Sequence, residues 1–391
     1  MNLLKLPQFL LLGCIVAAQA SAADSPRDTG PWNMVELASP PEYSRGDGLD
    51  GCDEILFQGE PLHGKPTRVK AYLAQPEGKG PFPAVVVTGR GGAFTFEANG
   101  WAKLGYISLM VNAYNGGRLP DGGPIELADR KLRVFTDEDV GNTQAYHAVS
   151  DTVRALSLLT GLNEVDRERI GVVGDGYLTC VVAGIDDRVK VAVADGCCDF
   201  LREGTDGMQR FLKPGPKNLE GLKKWFDTQR YLRQVRCPIL FFATAYEFGS
   251  PFDVLQTCYQ TVPGHVWLSI RPKISSKPPE VRPWSEQAIF VDAALKREKG
   301  LARLEAMQTA DGAVEARFTT AVPITSALLY FTSGTGPWIR RTWKNVPARV
   351  EEGFVRVTLP AERPLAYFLA ITDVRGAVVS TPHAVLPKAS E

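Results

Sequence analysis

Between residues 83 and 295, short continuous apolar runs alternate with longer segments of helical period, and this alternation restricts the fold more than any other feature. Pro83-Ala-Val-Val-Val-Thr88, Tyr106-Ile-Ser-Leu-Met-Val111, Ile170-Gly-Val-Val173, Val189-Lys-Val-Ala-Val193, Pro238-Ile-Leu-Phe-Phe-Ala243 and Val266-Trp-Leu-Ser-Ile270 read as strands. A run such as 83–88, apolar nearly throughout, suits a strand covered on both faces. Helices are expected at 101–105, 143–159, 177–184 and 285–295. In the second, Ala148, Thr152, Ala155, Leu156 and Leu159 share one helical face, with Asp137-Glu-Asp139 upstream as its acidic cap. Strand–helix–strand units imply parallel strands and right-handed crossovers, so the expected fold class is α/β with a mostly parallel doubly wound sheet.

The pattern differs at both ends. Glu54-Ile-Leu-Phe57 and Thr67-Arg-Val-Lys-Ala-Tyr-Leu73 alternate as an antiparallel pair around the turn Gly64-Lys-Pro66. Residues 200–233, aromatic and basic, read as an insertion. Past residue 308 come short alternating runs, Glu315-Ala-Arg-Phe318, Ser326-Ala-Leu-Leu-Tyr-Phe331, Phe354-Val-Arg-Val-Thr-Leu359 and Ala366-Tyr-Phe-Leu-Ala-Ile371, separated by turn residues. They predict a small Ig-like β-sandwich. The expected organisation is an export signal at 1–22, a loose Pro/Asp/Gly/Ser-rich leader at 23–50, the α/β domain at 51–305 and the sandwich at 306–391.

The signal reading rests on Lys5, the apolar run 9–18 and the small residues Ala20-Ser21-Ala22. It implies a secreted or periplasmic protein; Leu11-Leu-Gly-Cys14 offers a lipoprotein as the alternative. No later run is long and apolar enough for a membrane helix. Lys+Arg and Asp+Glu both number 44, so nothing points to nucleic acid or another polyanion. Cys52, Cys180, Cys197, Cys198, Cys237 and Cys258 match no metal or disulfide framework and read as small buried apolar residues, although an oxidising compartment permits disulfides. No metal-ligand spacing and no cofactor motif is present.

The order of motifs resembles the α/β-hydrolase superfamily, and within it the secreted acetylxylan esterase and dienelactone hydrolase group, related to prolyl oligopeptidase-type enzymes. The resemblance spans roughly 56–383. It is carried by Gly64-Lys-Pro-Thr-Arg-Val69, the glycines of 89–92, Gly122-Gly-Pro124, Tyr146-His-Ala-Val149, Val165-Asp166, Arg169-Ile-Gly171, Tyr177-Leu-Thr179 and Ala183-Gly-Ile-Asp-Asp-Arg-Val-Lys190, with Trp338-Ile-Arg-Arg-Thr-Trp343, Thr372-Asp373 and Ser380-Thr-Pro-His383 near the end. It implies a nucleophilic serine in a Gly-x-Ser-x-Gly elbow between strand and helix. Here the corresponding turn is Gly174-Asp175-Gly176, about three residues short and without a serine.

The resemblance places the base histidine in the segment that reads Arg271-Pro-Lys-Ile-Ser-Ser-Lys277, which has none. The acid position falls on Glu247, and the oxyanion loop on Thr88-Gly89-Arg90-Gly91-Gly92. The four histidines are His63, His147, His265 and His383; of these His147, at the start of a helix, is the one placed to face the cleft. Each position also has a plainer reading. Asp175 caps the helix that follows, His147 is a helix-end hydrogen bonder, Glu247 is a non-catalytic carboxylate, and the glycine loop is a tight connection.

Three functions compete. In the first, the fold persists without its chemistry and binds a small molecule or carbohydrate. In the second, an active carboxylic-ester hydrolase uses a rearranged site such as Asp175 with His147. In the third, the sandwich is the working part, with Trp338 and Trp343 either stacking on sugars or filling the interdomain seam. The first is the expectation, because an elbow shortened by about three residues loses its geometry as well as its oxygen.

Overall fold

A computed structural model describes residues 26–89, 95–113, 117–118, 136–196, 198–202, 216–244, 251–271, 285–310 and 312–387; the expected signal at 1–22, with Cys14, lies outside them. Ten strands make one sheet. They are β1 (Tyr43–Asp47), β2 (Asp53–Leu62), β3 (Lys65–Ala74), β4 (Phe82–Thr88), β5 (Ile107–Val111), β6 (Gly117–Arg118), β7 (Val165–Asp175), β8 (Val189–Asp195), β9 (Ile239–Thr244) and β10 (Val266–Arg271). The spatial order is β1-β2-β3-β5-β4-β7-β8-β9-β10, with β6 beside β3. Pairings from β5 to β10 are parallel, while β1, β2 and β3 run antiparallel. The path steps outward from β4 to β5 and then returns to the other side of β4 at β7, so the switch point lies between β4 and β7. In open α/β sheets the ligand crevice forms at the carboxyl ends of such strands.

Helices cover both faces, which is why the central strands carry no polar alternation. They are α1 (Met34–Leu37), α2 (Thr95–Lys103), α3 (Gln144–Gly161), α4 (Gly176–Ile185), α5 (Pro216–Phe226), α6 (Thr228–Leu232), α7 (Phe252–Thr261) and α8 (Ser285–Lys296). Successive side chains of a strand point to opposite faces. Ala84 and Val86 of β4 pack with Val149, Leu156 and Leu178 of α3 and α4. Val85 and Val87 pack with Trp101, Phe290 and Leu295 of α2 and α8. The cap of α3 is not the acidic run. Thr143 accepts from Tyr146 N at 3.1 Å, because a 3-10 turn, Asp137–Asn142, separates the acids from the helix. Asp137 instead holds Lys224 at 2.8 Å and Trp225 Nε1 at 3.2 Å.

The leader is not loose. Trp32 is buried, donates Nε1–H to the Tyr146 carbonyl at 3.0 Å, and lies against the rings of Tyr146, Phe226 and Tyr231. Arg27 donates to the Ala183 carbonyl at 3.2 Å and the Gln234 carbonyl at 2.9 Å, as well as to Gly184 O and Asp187. A cation there complements the negative end of α4. β1 then adds to the sheet edge. These anchors override a composition that otherwise reads as a tether.

The C-terminal strands are β11 (Arg303–Leu304), β12 (Gln308–Ala310), β13 (Ala313–Thr319), β14 (Ile324–Thr332), β15 (Lys344–Pro347), β16 (Arg349–Glu351), β17 (Phe354–Thr358), β18 (Leu365–Asp373), β19 (Val378–Ser380) and β20 (Ala384–Leu386). They form two five-stranded sheets around a core containing Val314, Leu329, Phe331, Leu369 and Ile371. β18 is buried along almost its whole length. Tyr367, Leu369 and Ile371 face that core, and Phe368 and Ala370 join the core of the α/β domain. The two units therefore share an aromatic seam, where Phe252 meets Trp338 (5.1 Å), Trp343 (5.3 Å), Phe368 (6.1 Å) and His383 (5.0 Å) between ring centroids. The free edge of β10 is covered as well: Ile270 N donates to Ser380 Oγ at 2.9 Å. Among the described residues Cys52, Cys180, Cys198, Cys237 and Cys258 are free thiols, Cys237 half-buried and the rest buried; Cys197 lies outside them.

His383 makes the seam pH-sensitive. Burial, reinforced by Arg341 and opposed by Asp253, holds its pKa down from 6.5 to about 4. Below 6.5 the unfolded chain takes up a proton that the folded chain refuses until about pH 4. Stability is therefore unaffected by this group above pH 6.5 and is lost as pH falls from 6.5 towards 4, by up to about 3 kcal/mol. Thermal melts at pH 7 and 4.5 should show a smaller acid loss in His383→Gln than in the wild-type protein; equal losses would remove the assignment.

Candidate functional site

Sequence reasoning puts the site where β4 and β7 end, and the local geometry there is set by close backbone approach. Gly174 has φ +119°, and a Cβ on it would stand 2.0 Å from Thr88 O and 2.9 Å from Thr88 Oγ1. Only glycine adopts that backbone readily and leaves that space. Thr88 Oγ1 in turn donates to Val173 O at 3.3 Å, holding the two strand ends together.

The handover to α4 follows at once. β7 ends on Asp175 and the helix begins at Gly176. Asp175 is 5% exposed, and its Oδ1 accepts from Leu178 N at 3.0 Å. This is an N-cap, satisfying one of the helix's first unpaired amides. The partial positive charge of a helix start favours the carboxylate there.

A second carboxylate stands beside it. Asp195, the last residue of β8, is in direct register with Asp175 and accepts from Gln287 Nε2 at 3.3 Å. Sequence reasoning passed over Asp195 because register across parallel strands has no local signature. One signal was available: both strands end in Asp-Gly, as Asp175-Gly176 and Asp195-Gly196.

The other expected site residues are dispersed. His147 is half-buried in the first turn of α3, its amide bonded to Thr143 O at 3.2 Å and its ring edge-on to Tyr146. His63 is exposed at the β2–β3 turn with φ +50°, donating its N–H to Asn142 Oδ1 at 2.7 Å. His265 is exposed just before β10, at the opposite edge of the sheet, and its carbonyl accepts from Ile239 N. His383 sits in the seam. Gly89 directs its N–H at Val111 O, 3.5 Å away. Arg90, Gly91, Gly92 and Glu247 lie outside the described residues. Trp338 and Trp343 line the seam. Among the described residues no group of three His, Cys, Asp or Glu side chains is placed to hold a metal ion, and no helix is long and apolar enough to cross a membrane.

Residues 52–210, which include the whole of this switch point, match the model of the acetyl xylan esterase (AXE1) family. The acetyl xylan esterase from Paenibacillus sp. R4 superposes with a TM-score of 0.50 over 72% of this chain and 93% of that one, at 17% identity. The protein has the α/β-hydrolase fold. The uncharacterized protein PA2218 of Pseudomonas aeruginosa is 27% identical over 235 residues, 56% of this chain and 58% of that protein. This chain thus matches a little over half the length of that relative. In an α/β-hydrolase the β7–α4 turn is the elbow position. In this chain that turn carries a buried, cap-bound carboxylate.

Proposed function

We propose that this α/β-hydrolase-fold protein is exported and binds a carbohydrate or another small ligand at the carboxyl edge of its sheet, without esterase chemistry. The observation that carries the reading is the state of Asp175. A nucleophile in an elbow must project freely above the sheet, whereas Asp175 is buried and bound to the start of α4. No serine, cysteine or threonine occupies Gly174-Asp175-Gly176, and no histidine occurs between 266 and 382. Acyl transfer needs an attacking oxygen, a base beside it and oxyanion donors together. What remains suits recognition: Asp195 is half-buried at the crevice, where a carboxylate accepts hydrogen bonds from sugar hydroxyls. The export part rests on the apolar N-terminal run with its small-residue site.

A fluorophosphonate probe tests the central point, because it reacts with serines activated by a base. The full-length protein should remain unlabelled under conditions that label an active serine esterase completely. A stoichiometric adduct on any serine, located by peptide mass spectrometry, would overturn the reading.

A further inference from the structure

The connection between β14 and β15 holds a cleft of about 320 Å³. Three cations line it, Arg340, Arg341 and Lys344, with the hydroxyl residues Thr332, Ser333 and Thr342. Among the described residues no carboxylate does. Arg341 is fixed in place: its guanidinium lies 3.6 Å from the centre of the Trp338 ring, and its Nε donates to Gly336 O at 2.8 Å. The lack of a side chain at Gly334 leaves room for the arginine stem, since a Cβ would come 3.3 Å from Arg341 Cγ. The bond to Gly336 occupies Nε–H alone, and the terminal N–H groups of the fork remain for a planar or tetrahedral anion.

The charge in this cleft is under-compensated. Among the described residues neither Arg340 nor Arg341 has a carboxylate within ion-pair distance. Lys344 reaches Glu362 only at 3.9 Å, with the two side chains 62% and 45% exposed, a geometry that contributes little. Asp253 acts on Arg341 from a distance, yet burial is the larger effect and pulls the guanidinium below its ordinary pKa. A half-buried, pinned cation without a counter-ion gains from any anion that replaces lost hydration.

We propose that this cleft binds an anionic ligand through a carboxylate, sulfate or phosphate group held between Arg340 and Arg341. The volume is at the small end for ligand sites, which suits a single acidic sugar residue or a free oxyanion. The site is built by the sandwich and stands whether or not the elbow retains chemistry.

Calorimetric titration of the full chain with tri-galacturonate, inorganic phosphate and neutral xylotriose tests it. At low salt the anions bind and xylotriose does not engage the cleft. Tri-galacturonate bound more tightly than phosphate identifies an acidic sugar; the reverse identifies the oxyanion itself. Arg340→Gln, at an exposed position, weakens the anion about tenfold or more, and raised salt does the same. Arg341→Gln weakens it further, with its melting curve recorded because the Trp338 contact is also lost, while Arg341→Lys retains part of the affinity. Absence of anion binding in the wild-type protein, or affinity unchanged in both Arg340→Gln and Arg341→Gln, would overturn the proposal.

Discussion

Offered p-nitrophenyl acetate, the purified protein should turn it over no faster than its own Asp175→Asn/His147→Gln double variant. The pair removes the rearranged arrangement named above, a carboxylate attacking or activating water with an imidazole beside it. Asparagine caps a helix about as well as aspartate, so Asp175→Asn deletes the charge and keeps the bond to Leu178 N. Where a catalytic group of this kind works, removing it lowers the rate by roughly 10⁴ to 10⁶. Equal rates are therefore a sharp outcome. A wild-type rate about a thousandfold above the variant's would restore the rearranged-site hydrolase, since background ester cleavage does not depend on these two residues.

Gly174→Ala should be the most damaging single-methyl change in the α/β domain. Its Cβ would meet the Thr88 carbonyl at 2.0 Å, a backbone atom in the middle of the sheet with nowhere to move. Overpacking of this kind costs about 1–3 kcal/mol, and a strained positive φ adds about 1–3 kcal/mol. Together that is roughly 2–6 kcal/mol, or about 4–24 °C of melting temperature for a unit of this size. Gly376→Ala is the control. It has a similar backbone sign, φ +80°, but nothing within 4 Å of the new methyl, so it carries only the strain. Melting both variants separates clash from strain. A Gly174→Ala protein as stable as Gly376→Ala would mean that β4 and β7 do not approach as described.

The parts of the fold that were legible in the residues are those where burial is uniform. β4 is covered by helices on both faces, and its continuous apolar run over 83–88 announces that directly. β18 is less legible: 366–371 reads as a short alternating run, yet both faces are buried, the second in the seam through Phe368 and Ala370. The helix α7 went unread because its buried residues, Phe252, Val254, Leu255, Cys258 and Tyr259, are interrupted by polar ones and include weak helix formers. In the leader the docking is carried by scattered residues, among them Arg27, Asp28, Trp32 and Leu37, which form no period. At the site, the cap role of Asp175 could be read from Asp-Gly followed by an apolar run. The neighbouring Asp195 could not, because register across parallel strands is a tertiary fact.

The anchoring of the leader bears on how the chain is made. Arg27 bonds to Gln234, 207 residues later, and Trp32 rests on Phe226 and Tyr231. At synthesis rates of about 5–20 residues per second, Trp32 waits on the order of 10–40 s for its partners to emerge. During that interval the leader can make only its earlier contacts, those to Tyr146, Ala183 and Gly184 among them, and the clasp over α3 and α4 is complete once 226–234 have been translated.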